Sequence, residues 1–149
     1  MNKCLKGLTQ LPADCDDPYK LDFRNLLHLV FTEILEYEPP AGIIYDVADY
    51  MQNLPMSEDG KSRGQIQCQR LAGKSIVVGI FIVWLLYCNP NLKVAVICST
   101  DDFAQRMVKF VRTLLDSHDL LHHLAPNKAA VNQLEDFRKD QLDNEKMFV

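Results

Sequence analysis

Gly73, Lys74 and Ser75 follow one another where the chain passes from a short alternating stretch into a long apolar run. A glycine there permits a tight bend, and the N–H groups and positive end of the following helix attract an anion. Lysine adds a point charge and a serine hydroxyl can ligate magnesium. That chemistry suits the phosphates of a nucleotide. The full phosphate-loop pattern, Gly-x-x-x-x-Gly-Lys-Ser/Thr, is not met, because Cys68 occupies the place of its first glycine. The tripeptide alone leaves two readings open: a phosphate site, or an ordinary turn capped by Gly73 and Ser75.

For such a site to work, one element must deliver the chain to the bend and another must carry it away. Residues 65–69 alternate Ile66 and Cys68 with glutamines and read as a strand, and residues 76–88 hold no charged side chain and read as a buried helix. Asn89-Pro90-Asn91 breaks that helix. Residues 93–98 (Lys-Val-Ala-Val-Ile-Cys) form a continuous β-rich run suited to a strand covered on both faces. Residues 99–102 then offer N-cap chemistry for a helix to about Asp116, with Phe103, Met107, Phe110, Val111, Leu114 and Leu115 as its apolar stripe.

Upstream, residues 19–38 place Leu21, Leu26, Leu27, Val30, Phe31, Ile34 and Leu35 on one face of a helix of about five turns. Pro39 and Pro40 end it, and a second helical stretch covers 43–54. Strand, loop, helix, strand, helix in that order predicts a parallel sheet. The expected fold class is therefore α/β: a partial P-loop NTPase fold with a short parallel sheet flanked by helices and a helical N-terminal arm. The division expected is an arm over 1–56, a β-α-β-α core over 57–126, and a polar tail over 127–149 in which Met147, Phe148 and Val149 read as the start of a strand.

A balance of 48% hydrophobic and 24% charged residues over 149 positions is that of a globular domain, not a disordered chain. The net charge of −4 supplies no overall field for gripping nucleic acid, so any DNA contact must be local or come from a partner. Cys4, Cys15, Cys68, Cys88 and Cys98 are odd in number and never spaced as C-x-x-C, which points to reduced thiols rather than disulfides or zinc. No signal-peptide apolar region occurs in residues 1–17, and the run 76–88 is shorter than the roughly 18 to 20 residues of a membrane span, so no membrane association is expected.

The phrasing around the tripeptide adds to this. Residues 67–75 (Gln-Cys-Gln-Arg-Leu-Ala-Gly-Lys-Ser), 81–86 (Phe-Ile-Val-Trp-Leu-Leu), 89–94 (Asn-Pro-Asn-Leu-Lys-Val) and 99–104 follow one another as in the ATPase half of phage terminase large subunits, particularly those of short-tailed phages, which the chain resembles over residues 21–126. Pro39-Pro40 and residues 46–52 look like that family's adenine-side segment, and residues 120–126 like its leucine-rich helix end before a proline.

The resemblance implies a nucleotide-binding set of Gln69, Arg70, Leu71, Ala72, Gly73, Lys74 and Ser75, with ATP and Mg2+ as cofactors. Arg70 stands at the arginine of the family's deviant Walker A and would contact or sense phosphate. Lys74 would hold the β and γ phosphates, and Ser75 the Mg2+ through the nucleotide. Double-stranded DNA, the portal and the small terminase subunit are the implied partners, in the host cytoplasm, with a homo-oligomer only once the chain is completed.

No residue is assigned a catalytic role. The family's acidic Walker B strand and nuclease carboxylates would follow residue 149, and Glu135, Asp136, Asp140, Asp143 and Glu145 alternate with Lys and Gln as a solvated run. Hydrolysis by this polypeptide alone is not expected. Two departures bear on binding: Leu71 stands where relatives usually have glycine, and Ile44 stands where they often have a base-contacting glutamine. The competing reading, from a different class, is a non-enzymatic remnant or interaction fragment that no longer binds nucleotide. The remaining candidates have simpler explanations: His118, His122 and His123 as helix-end histidines, Trp84 as core, Asp101-Asp102 as a helix N-cap, and Cys68 as a strand thiol.

Overall fold

A computed structural model of the chain describes residues 15–54, 63–67 and 73–124. The first helix, α1 (Pro18–Leu21), begins with proline at its first position and is capped by Asp17, whose Oδ1 accepts from the Tyr19 N–H at 2.9 Å. Asp22 both ends α1 and caps α2 (Phe23–Leu29), accepting from the Arg24 N–H while its own backbone is extended at φ −136, ψ 115. The Arg24 guanidinium beside it holds the Asp22 carboxyl below the usual carboxylate range.

The single helix expected over 19–38 is therefore interrupted. A capping carboxylate competes with helix continuation, which periodicity alone does not register. Leu21, on the far side of the break, is exposed. After α2 the chain widens into a π-helical turn (Val30–Ile34), with the Leu35 N–H on the Val30 carbonyl and the Tyr37 N–H on the Phe31 carbonyl. Glu36 takes the left-handed conformation (φ 54) that turns the chain towards Pro39.

Next come α3 (Gly42–Gln52), α4 (Lys74–Cys88), α5 (Asp101–Ser117), capped by Thr100, and the short α6 (Asp119–His122), capped by the His118 ring. A helix whose only charged side chain is Lys74 at its start, as in α4, needs cover around most of its surface, and it lies at the centre. Val77, Ile80, Val83, Trp84 and Tyr87 belong to one core with Phe23, Leu26, Leu27 and Val30 of the α2 and π region and with Ala48 and Met51 of α3. The Trp84 ring stands 5.5 Å from Phe23 and 5.6 Å from Phe81, and its Nε1 donates to the Tyr19 carbonyl at 2.8 Å. Trp84 is thus the core residue expected.

On the other side α5 closes on α4 at Gly79, where a β-carbon would lie 2.6 Å from the Phe110 ring. Gln52 ties α3 to the α1–α2 break: its Oε1 accepts from the Phe23 N–H at 2.9 Å and its Nε2 donates to the Leu21 carbonyl at 3.0 Å.

The expected α/β class is overturned. Among the described residues there is no strand and no parallel sheet; the architecture is helical. Residues 93–98, expected as a doubly covered strand, carry no regular structure, and Ile97 is 96% exposed. Residues 65–67 of the other expected strand are likewise irregular, while 68 and 69 lie outside the described residues. The physical reason is that β-propensity measures fit to a pleated surface with neighbours in place. No described segment supplies those neighbours, and α4 packs against other helices instead. The strand expected to start at Met147, Phe148 and Val149 lies outside the described residues. No helix of the described residues is long and apolar enough to cross a membrane.

Candidate functional site

The chain reaches α4 through Gly73, which has φ 72 and ψ 10. A β-carbon there would meet nothing nearer than Ile44 Cδ1 at 3.8 Å, so the glycine is required by its left-handed backbone and not by lack of room. Its carbonyl accepts from the Ile76 and Val77 N–H groups at 3.0 and 3.1 Å, which closes the first turn of the helix. Lys74 and Ser75 are consequently the first two residues of α4, where the N–H groups of any α-helix point out of its end and carry its partial positive charge. Lys74 is half-buried and Ser75 is exposed.

Two stretches singled out in the sequence meet here. Ile44, in the first turn of α3, has its side chain beside Gly73 and also packs against the core. The other end of α3 holds the chain on its way to the turn. Tyr50 Oη accepts from the Gln65 N–H at 3.3 Å, and a β-carbon on Gly64 would lie 2.4 Å from Leu54 Cδ2. Tyr50 and Ile44 are six positions apart, roughly 9 Å of helix rise. The tyrosine is a positioning residue that the sequence reading did not single out, and no local pattern marks it, since its role depends on how residues 63–67 return past α3.

Of the seven expected nucleotide-binding residues, Gly73, Lys74 and Ser75 stand together at the head of α4, whereas Gln69, Arg70, Leu71 and Ala72 lie outside the described residues, as does Cys68. Two of the three histidines are engaged by backbone: His118 Nδ1 accepts from the Leu120 N–H at 3.1 Å, and His122 Nε2 lies 2.8 Å from the Asp116 carbonyl at the end of α5, while the His123 ring stands 5.7 Å from that of Tyr87. Asp101 and Asp102 are the first two residues of α5 rather than its cap, which is Thr100. Among the described residues no three His, Cys, Asp or Glu side chains gather as a metal-holding group.

A second polar cluster lies at the opposite end of α4. Tyr87 Oη donates to Asp17 Oδ2 at 2.7 Å, and Lys20 Nζ stands 5.1 Å over the Tyr87 ring. Cys88 Sγ contacts the Lys20 carbonyl at 3.8 Å, and burial pushes its thiol up to about 12. A thiol so protonated is a poor nucleophile, and the cluster anchors α1 to α4.

Compared with protein-family models, with curated proteins and with solved structures, the chain matches none of them.

Proposed function

We propose that the chain is the N-terminal, ATP-binding part of a viral terminase large subunit, the motor that drives double-stranded DNA into a capsid in the host cytoplasm. The observation that carries the reading is the left-handed Gly73 leading directly into a helix whose first two residues are Lys74 and Ser75. Backbone N–H groups and the helix end would receive the phosphates, Lys74 would neutralise the β and γ oxygens, and the Ser75 hydroxyl would complete the coordination of a nucleotide-bound Mg2+. Arg70 would add a further positive charge, a role that rests on the resemblance alone. Ile44 beside the turn offers a base only apolar contact, so discrimination between ATP and GTP should be slight. Portal, small terminase subunit and DNA are the partners of the assembled motor.

Binding, not turnover, is the readout for this polypeptide, because the acidic residues that orient water are not recognisable in it. Calorimetric titration of Mg-ATP should give saturable binding that Lys74→Ala weakens by at least tenfold. Equal and negligible affinities for both proteins would refute the nucleotide reading. They would favour the interaction fragment instead, a reading to which the exposed Val94, Val96 and Ile97 lend support.

A further inference from the structure

Residues 93–98 combine an apolar β-rich sequence with surroundings that leave it uncovered. Val94 and Val96, two positions apart, border an apolar groove of roughly 320 Å3 together with Ile82 and Leu86 of α4 and Met107 and Val111 of α5. Both valines remain more than a third exposed, and Ile97, which does not line the groove, is 96% exposed. No backbone hydrogen bond joins residues 93–98 to another described residue. A run of this kind, without proline, glycine or internal charge, is a template for pairing with another chain.

We propose that this segment is a self-pairing edge, through which two copies of the chain associate antiparallel about a twofold axis near Val96. The charges at its ends select that occupant and that orientation. Lys93 precedes the apolar run, and Asp101 and Asp102 follow it, all three exposed. Antiparallel alignment brings each lysine towards the acidic end of the other copy, whereas parallel alignment would set Lys93 against Lys93 and Asp101 against Asp101. Asp102 is already paired with Arg106, so Asp101, whose Oδ2 meets the neutral Gln105 amide at 2.6 Å, is the carboxylate available to the incoming lysine.

In this register Val96 faces Val96 and Val94 faces Cys98 on the groove side, while Ala95 faces Ile97 on the outer side, small against large. Such cross-strand pairs are the units that stabilise an antiparallel ribbon, and one patch used by both copies is the usual twofold arrangement. A six-residue pairing is smaller than a standard stable interface, so the association is weak and reversible. It does not depend on nucleotide binding.

Sedimentation equilibrium of the full chain tests this. The average mass should climb from one chain towards two as concentration rises. Ile97→Lys should weaken association at least tenfold without changing the helical circular dichroism, since the side chain touches little. Lys93→Glu and Asp101→Lys should each weaken it alone, and mixing the two proteins should restore it, because only the mixed dimer has opposite charges at both ends. A single-chain mass at all concentrations would overturn the proposal. So would association unchanged by Ile97→Lys, or a mixture no more associated than either variant.

Discussion

Along one flank of α4, Ile80 and Trp84 share a closed core with Phe23, Leu26 and Leu27, and the indole N–H has its carbonyl partner; along the other, Leu86, Val94 and Val96 border an open groove, and Ile97 stands almost wholly in solvent. Both flanks are built from equally apolar sequence. What separates them is supply: the N-terminal helices close over the first, whereas Met107 and Val111 of α5 only wall the groove on the second and no described segment fills it. Apolar content states a demand for cover, and only the topology says whether it is met.

Substitutions on the two flanks should therefore differ sharply. The largest effect is expected from Trp84→Ala, which removes the ring packed against both Phe23 and Phe81 together with its bond to the Tyr19 carbonyl. It should destabilise the fold by about 3–5 kcal/mol, measured by urea denaturation. Gln52→Ala comes next. It strands the Phe23 N–H and the Leu21 carbonyl at the α1–α2 break and should cost about 1–3 kcal/mol, read in the same way. Smallest is Ile97→Ser on the open flank, where a change within about 0.5 kcal/mol is expected at concentrations too low for pairing. A loss at Ile97 comparable to that at Trp84 would break the contrast, because it would mean that the residue is covered in solution.

The same contrast explains what could be read in advance. The helices at 74–88 and 101–117 have local signals: an uncharged apolar run over 76–88 led by Gly73, and an apolar stripe preceded by Thr100, which accepts from the Phe103 N–H. The division of residues 19–38 was not legible, because Asp22 acts through its own side chain and Gln52 reaches it from 31 residues away. The expected sheet failed for a further reason. Val94, Val96 and Ile97 have the composition of a covered strand, but composition cannot report whether a partner strand exists. Of the site, the turn itself could be read from its three residue types, and the left-handed Gly73 fits that expectation. The place of Ile44 beside the turn was implied only by the resemblance, and the hold of Tyr50 on Gln65 arises from how residues 63–67 return past α3 and has no signal in spacing.

The proposal that the Gly73 turn binds phosphate is tested most directly by amide NMR of the isotope-labelled chain at low concentration during addition of Mg-ATP. The account predicts that the resonances of Gly73, Lys74 and Ser75 move most, that Ile44 follows, and that Val94, Val96 and Ile97 stay still. Unchanged spectra at saturating nucleotide, or shifts centred on residues 93–98 with the head of α4 unmoved, would contradict it.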